Sequence, residues 1–555
     1  MDPRAVITPT LTPPPPNPPS LFLHSLLPLF LVLTAFGPGY QTISTFTLLY
    51  FPLSVYYTRT YTRWWWIIFY YLMNSIGTML AYMNTFNLSG VGNYLGISCV
   101  IGLILNLIML IPNMFDRIAQ RKFSSDGWAR IMVFPCVWTG IWTILLYTWA
   151  LGDWGNYVFA LLNYGEIMQF ASFAGLGGIN FLLAWSGTVG SDIISFHLSK
   201  PQNFDEAQTS STGSIIIYNE DNSTDTILRI PPNQPKRELT LPTFINSLSL
   251  YLFVLFLVIS YGSVRLNTDF VPFYQKSVND TFKEALIGFG CITKQINNDE
   301  LNFYINMTRD LASTGNKIIL WSEGIPGITT VDELHYLYDS IKNISMTYDA
   351  YIGFTYIEGI DTGKYLNKQV VINNKGEVVI DYKKSNLVPF VETLFAKGDD
   401  KLQTFQSEEL GTVGAAICFD FDFPKLIGQA SSKNVNLMLD SSETWVSPVG
   451  PLHARMNAIR SIENGFTTFR CNSLGFSGIW NQYGQPLHYI PTVNTPMVTF
   501  QVPITMIKNR VKTVYSIFGE SFGWICVGSI GVYLIAIILA HKGSDRWKLW
   551  VIYWL

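Results

Sequence analysis

The sequence predicts a multi-pass α-helical membrane domain of about eight helices, with an α/β module inserted before the last of them. Three observations predict this. The 555 residues are 49% hydrophobic and only 14% charged, with a mean hydropathy of +0.24, a balance too apolar for an ordinary water-soluble chain. Apolar runs of roughly the 20 residues that a helix needs to cross a bilayer occur near 21–38, 41–57, 64–83, 93–112, 131–151, 167–196 and 244–264, with another at 522–540. Between the last two runs, strand-like and helix-like segments alternate, as layered α/β domains require.

Taken in order, residues 1–20, "MDPRAVITPTLTPPPPNPPS", form a proline-rich tail that cannot be helical and lacks the basic start and cleavage site of a signal peptide. Residues 21–264 are the membrane domain, with seven predicted helices. The 41–57 run is short, and 167–196 is interrupted by "GLGG" and by Asp192. Within this domain, 197–242 is rich in Ser, Thr, Asn and Pro and reads as a flexible cytosolic loop. Residues 265–520 are the inserted module, and 521–555 the last transmembrane helix with a cytosolic tail.

Charge placement orients the spans. With the N-terminus cytosolic, the inner side holds Arg59, Arg63, Arg117, Arg121, Lys122, Arg130, Lys200, Arg229, Lys236, Arg237, Lys542, Arg546 and Lys548, whereas the short outer loops "NTFNLSGVGN" and "GDWGNYVFALLNYGE" have no Lys or Arg. Lys508, Arg510 and Lys512, just before the last span, are the exception. The 265–520 module is therefore expected outside the cytosol, in a bacterial inner membrane or, in a eukaryote, an endoplasmic reticulum or secretory membrane. Four of five N-x-S/T sequons, Asn87, Asn279, Asn306 and Asn343 but not Asn222, fall on that outer side and suggest a glycoprotein. In so Asn-, Ser- and Thr-rich a chain, chance alone supplies about as many.

Several function classes are disfavoured. A formal net charge of -3 and a pI near 6.1 leave no basic footprint for nucleic acid. His24, His197, His335, His453, His488 and His541 show no metal-ligand spacing, and no glycine-rich phosphate loop follows a strand, so neither metal nor cofactor is expected. Cys99, Cys136 and Cys526 lie in spans and read as packing residues. Cys291 and Cys471 share the module with Cys418 and could pair in an oxidising compartment, although no C-x-x-C framework marks them. Trp64, Trp65 and Trp66 read as an interfacial belt.

In the module, "EALIGFGCI", "KIILWSEG", "AYIGFTYIEG", "VGAAICFDF" and "VNLMLD" read as strands. A hairpin turns at "NNKG", and "NDELNFYINMTRDLAS", "VDELHYLYDSIKN", "PKLIGQASSK" and "HARMNAIRSIEN" read as helices. Three strand ends carry reactive side chains: Glu323 in "IILWSEG", Lys384 in "DYKKSNLVPFVE", which also holds Glu392, and Cys418 in "AAICFD". Each alone is ordinary, a surface charge or a buried inert thiol. Together they supply a nucleophile, a carboxylate whose pKa an apolar pocket can raise until it serves as base, and a cation for an oxyanion. The backbone N–H of Phe419 would be the second oxyanion donor, with Asp420 in support.

At these residues the chain resembles the carbon–nitrogen hydrolase (nitrilase) superfamily, whose signature is a Glu-Lys-Cys triad on an αββα sandwich. More narrowly it resembles apolipoprotein N-acyltransferases, in which such a sandwich is inserted between the seventh and eighth transmembrane helices. "LWSEGIP", "YKKSNLVPFVE", "AAICFD", "ARMNAIRSIENG", "GIWNQYGQP" and "TVYSIFGESFGW" carry the resemblance, with "GDWGNY" and "QFASFAGLGGINFLLAW" upstream. It departs from the family at Val391, where Gly is usual, at Phe419 and Asp420, where Tyr and Glu are usual, and in a first strand lacking Gln-Gly-Asn-Ile-Pro. The resemblance implies acyl transfer from a phospholipid through a Cys418 thioester to an amine such as a lipoprotein N-terminus, with Glu323 as base, Lys384 at the oxyanion and Glu392 orienting them. The same triad with water as acceptor would make a membrane-anchored amidase, and the fold without turnover a lipid-binding scaffold.

Overall fold

The computed structural model describes residues 20–541, except 40–41, 62, 84–90, 123–128, 199–240, 269–284, 296–299, 326, 329, 361–362, 445–448 and 509. Most of the proline-rich tail and of the 197–242 loop, the C-terminal tail, and Asn87, Asn222 and Asn279 lie outside the described residues. Asn306 and Asn343 are exposed on helices.

Among the described residues, each of the eight apolar runs contains a long helix: α1 Ser20–Phe36, α2 Ser44–Thr60, α3 Trp64–Tyr82, α4 Val91–Lys122, α5 Ala129–Thr148, α6 Ala171–Leu198, α7 Leu241–Thr268 and, after the module, a final helix Ser521–His541. Four of these, over Leu95–Arg121, Ile131–Thr148, Asn246–Asn267 and Ser521–Leu539, are long and apolar enough to cross a membrane by length and composition. The "GLGG" interruption is a kink at Gly175, with φ +64°. Asp192, which breaks the same run, pairs with Arg59 Nη1 at 2.9 Å, while Arg59 Nε reaches Asp116 at 2.7 Å. The charges that dilute these runs therefore meet inside the helix bundle, where a lone charge would be costly.

The module is two facing sheets. Strands β1 Leu286–Ile292, β2 Asn316–Trp321, β3 Gly327–Ile328, β4 Tyr351–Gly359, β5 Tyr365–Ile372 and β6 Val378–Lys383 build the first with β13 Met497–Pro503, in the order β13-β1-β2-β4-β5-β6, β3 pairing with β4. The second runs β12-β11-β10-β9-β8-β7, from β7 Gln403–Ser407, β8 Gly411–Ile417, β9 Leu437–Glu443, β10 Thr467–Ser473, β11 Phe476–Trp480 and β12 Pro486–Pro491. β1, β2 and β4 are mutually parallel, as are β8, β9 and β10. Consecutive parallel strands need crossovers, and helices α8 Leu301–Ser313 and α9 Val331–Tyr348 supply them in the first sheet and α10 Val449–Asn464 in the second.

Local sequence sets the turns. Helix α9 opens with a capping box, Thr330 Oγ1 accepting from the Glu333 amide while Glu333 Oε2 accepts from the Thr330 amide. In the "NNKG" hairpin, Asn373 Oδ1 accepts from the amides of Lys375 and Glu377.

Phe289, Val371, Ala415, Leu437 and Phe469 fill the core between the sheets, and helices α8 and α9 cover the outer face of the first. Helix α10 instead lies between the second sheet and the apolar helices, its Leu452, Met456 and Ile459 sharing one apolar cluster with Tyr50, Trp138 and Tyr157. The layers are thus αββα, with one outer layer shared with the apolar helices. Cys291 of β1 and Cys471 of β10 form a disulfide joining the two sheets.

Two segments differ from expectation. β8 ends at Ile417, and Cys418–Asp422 is a 3₁₀ turn rather than a continuation of the strand. Residues 424–433 make two short helical turns, Pro424–Ile427 and Gln429–Ser432, rather than one helix.

Candidate active site

The turn after β8 decides where Cys418 points. Its φ is +49°, the left-handed region that a side chain with a Cβ rarely enters. Asp420 holds that turn, its carboxylate accepting from the amides of Ile417 (3.2 Å) and Asn386 (2.8 Å), from Asn386 Nδ2 (3.0 Å) and from the Tyr382 hydroxyl (2.8 Å). Burial pushes the Asp420 carboxyl up to about 6, against the pull of Lys384 and these donors. The side chain therefore acts on the backbone that carries Cys418.

Two other strand ends bring the partners. Glu323 follows β2, its amide donating to the Ser442 carbonyl at 3.2 Å. Lys384 follows β6, its amide donating to Asn367 of β5 at 2.9 Å. Lys384 Nζ lies 2.6 Å from Glu323 Oε1 and 2.9 Å from Glu392 Oε2, so one ammonium bridges two carboxylates. Asn367 Nδ2 donates to Glu323 Oε1 at 2.8 Å, and the Glu443 amide to Oε2 at 3.0 Å. The Val388 amide fixes Glu392 at 2.7 Å. The Cys418 thiol is 3.6 Å from the Glu443 carbonyl oxygen. Cys418 and Lys384 are each 1% exposed and Glu323 6%.

Electrostatics correct one expectation. Burial does raise the Glu323 carboxyl, but Lys384, the Cys418 thiol and the Glu443 amide more than offset it, so its pKa is lowered. Burial, together with the Glu323 charge, drives the Cys418 thiol well above its ordinary value although Lys384 opposes this. Lys384 resists its own burial because Glu323 and Glu392 hold its proton, and its pKa rises. At neutral pH the cluster is thiol, carboxylate and ammonium.

Two supports carried no signal that sequence reasoning used. Asn367 is a polar residue inside a β-strand, unusual by propensity, and it ties Glu323 to the Lys384 backbone. Behind Cys418, Asp440 accepts from Arg470 Nη1 at 2.6 Å and from the Ser442 hydroxyl at 2.6 Å. Arg470 Nη2 lies 3.1 Å from His453 Nδ1, and His453 Nε2 lies 3.3 Å from Asp422. Because Arg can only donate, Nδ1 is the acceptor and Nε2 carries the proton; burial, with Arg470, lowers the imidazole to about 3 and keeps it neutral.

The site rests on the apolar helices. Arg460 of α10 donates from Nε to the Phe421 carbonyl at 3.0 Å. It also forms ion pairs with Glu463 and with Asp153, in the loop after α5. The Asp153 amide donates to the Asp422 carbonyl at 3.0 Å, and a Cβ on Gly152 would lie 2.5 Å from that oxygen. Only glycine admits so close an approach.

Residues 304–504 match the carbon-nitrogen hydrolase family model. Across 474 aligned residues the chain is 22% identical to an apolipoprotein N-acyltransferase of Geobacter metallireducens, covering 80% of this chain and 81% of that protein. It is 29% identical over 127 residues to a formamidase of Bacillus cereus, 22% of this chain and 37% of that protein. A crystal structure of an amidase from Nesterenkonia sp. aligns with 41% of this chain and 95% of its own at 15% identity and a TM-score of 0.35. The chain is thus similar over most of its length to an apolipoprotein N-acyltransferase, and residues 304–504 resemble the carbon–nitrogen hydrolase family.

Proposed function

We propose that the protein is a membrane acyltransferase that moves a fatty acyl chain from a phospholipid, through a thioester on Cys418, to an amine acceptor such as the N-terminus of a lipoprotein. The observation that carries this reading is the buried meeting of Cys418, Glu323 and Lys384 at three strand ends. The Cys418 proton passes to Glu323 as sulfur attacks the acyl carbonyl. Lys384 and the Phe419 amide stabilise the oxyanion. The ester C–O bond breaks, the proton returns from Glu323 to the departing glycerol oxygen, and a lysophospholipid leaves. The acceptor amine then attacks the thioester, its proton goes to Glu323 and on to the sulfur, and an amide forms. No metal or cofactor enters.

Three further observations support the setting. The acyltransferase likeness covers more of the chain than the module contains, whereas the formamidase likeness covers 22% of the chain. Phe390, Val391 and Leu394 are exposed beside Glu392, an apolar surface suited to a bilayer substrate. The Cys291–Cys471 disulfide suits a compartment outside the cytosol. We therefore read eight crossings, both termini cytosolic and the 265–520 module extracytosolic, facing the periplasm or the secretory lumen.

Intact mass of the purified chain mixed with phospholipid, with and without a diacylglyceryl-cysteine peptide, tests the reading. The expected result is a hydroxylamine-sensitive acyl adduct on Cys418 that the peptide discharges as amide. Discharge by water alone would favour a membrane-anchored amidase, and an adduct elsewhere would overturn the assignment.

A further inference from the structure

We propose that, on the acyl-transfer reading above, the Glu443 side chain binds the acceptor as an ammonium ion and takes its first proton, so that the Cys418 thioester passes to an amine in preference to water.

Glu443 is the last residue of β9, and its backbone touches both reacting groups. The amide donates to Glu323 Oε2 at 3.0 Å, and the Cys418 thiol lies 3.6 Å from the carbonyl oxygen. The carboxylate sits beside Gly324, the residue after Glu323: a Cβ on that glycine would stand 3.4 Å from Glu443 Oε2. Lys294, which follows β1, holds Oε2 at 3.0 Å, and the Glu443 side chain is 28% exposed. Its Oε1 accepts no hydrogen bond among the described residues. The neighbouring carboxylates are committed, Glu323 and Glu392 to Lys384 and Asp420 to the turn that carries Cys418. Glu323, Glu392 and Glu443 face two ammonium groups, Lys384 and Lys294, so this linked cluster carries a net negative charge that an incoming cation offsets.

The proton count of the second half-reaction needs such a group. A peptide α-ammonium has a pKa of about 8, so near neutral pH most of the acceptor is protonated and its nitrogen has no lone pair to attack with. Amide formation removes two protons from that nitrogen. Glu323 carries one to the sulfur as the C–S bond breaks. The other must leave before attack, and Glu443 accepts it and releases it to water through its exposed edge. Burial raises the Glu443 carboxyl, Lys294 and Lys384 oppose this and the Glu323 charge adds to it, so the pKa stands above the ordinary carboxylate value and nearer that of the amine. A water molecule offers the carboxylate no charge to hold, which is the basis of the selection.

The test isolates discharge from loading. The full-length chain in detergent is loaded with acyl groups from phospholipid, separated from the donor and mixed with a diacylglyceryl-cysteine peptide or with hydroxylamine, and loss of the Cys418 adduct is timed by intact mass from pH 6 to pH 9. Glu443→Gln should still load, but its discharge by the peptide should fall about tenfold at pH 7 and climb with pH as free amine accumulates. Glu443→Asp should restore part of the loss. Hydroxylamine, largely uncharged at pH 7, should discharge wild type and Glu443→Gln alike, which a structural defect would not allow. Lys294→Met should move the acid limb of peptide discharge to higher pH, because Glu443 loses the cation that favours its charged form. Peptide discharge of Glu443→Gln within twofold of wild type at pH 7, an equal loss with hydroxylamine, or failure of Glu443→Gln to load would overturn the role. A wild type that never loads Cys418, or that water discharges as fast as the peptide, would overturn the acyl-transfer reading instead.

Discussion

Replacing Lys384 by Met removes one charge and strands two. In the wild type, Nζ stands 2.6 Å from Glu323 and 2.9 Å from Glu392, and the ammonium is 1% exposed. Removing one partner of a buried ion pair costs about 3–5 kcal/mol, because the remaining charge stays desolvated. The carboxylates would respond by taking up a proton, and the sign of the pH dependence follows. With Lys384 present the Glu323 pKa is lowered, so its contribution to stability is present above the unfolded value near 4.5 and is lost as pH falls through the folded value. Without Lys384, burial, the largest influence on Glu323, is opposed only by the Cys418 thiol and the Glu443 amide and its pKa is expected to rise, so its contribution is present below 4.5 and is lost as pH rises through the new value. Thermal unfolding in detergent at pH 5 and pH 8 reads this directly: the variant should gain stability relative to wild type on acidification. Its Cys418 acylation, followed by intact mass, should slow by about 10²-fold or more, the size of a lost oxyanion donor. Acylation within tenfold of wild type, with an unchanged pH dependence of melting, would refute the placement of Lys384 at the centre of the cluster.

Glu323→Gln keeps the shape but cannot take the thiol proton, so acylation should fall by at least about 10²-fold while the chain still inserts, and near-normal adduct formation would remove Glu323 from the role of base. Replacing both Cys291 and Cys471 by Ser opens a bridge between residues 180 apart and should cost about 2–5 kcal/mol, seen as a lower melting temperature under non-reducing conditions only. Protease added to sealed right-side-out spheroplasts, or to opened but not sealed microsomes, should cut the 265–520 module, whereas in sealed microsomes it should cut the 197–242 loop. The opposite pattern would put Cys418 in the cytosol and favour the amidase reading.

Much of the site was legible because its parts sit where apolar strands stop. Each of Glu323, Lys384 and Cys418 ends or follows a run whose hydrophobicity marks a strand, and strand ends converge where loops meet. What the sequence hid depends on contacts between distant segments. The Glu323 pKa was expected to rise with burial, but Lys384 stands 2.6 Å away and the direction is downward, a reversal that only this separation reveals. Asn367 looked like one more polar residue, and the Cys291–Cys471 pair had no spacing to announce it. Asp192 read as a break in an apolar run until Arg59 was found opposite it. Strand character was overextended through "CFDF", because alternating aromatic and acidic residues mimic a half-buried strand, while the carboxylate of Asp420 turns back to the Ile417 amide.

The Arg460 clamp bears on how this protein can be produced and dissected. A fragment spanning 265–520 would keep Arg460 and Glu463 but lose Asp153, and Leu452, Met456 and Ile459 of α10 would face water in place of the apolar helices. The Phe421 carbonyl and the turn after Cys418 would then hang from an arginine with half its anchorage. Such an excised module is expected to aggregate or to fold with a loosened turn, so single-domain expression is the wrong route to studying it; the apolar helices belong to the scaffold of the candidate site as much as the sheets do.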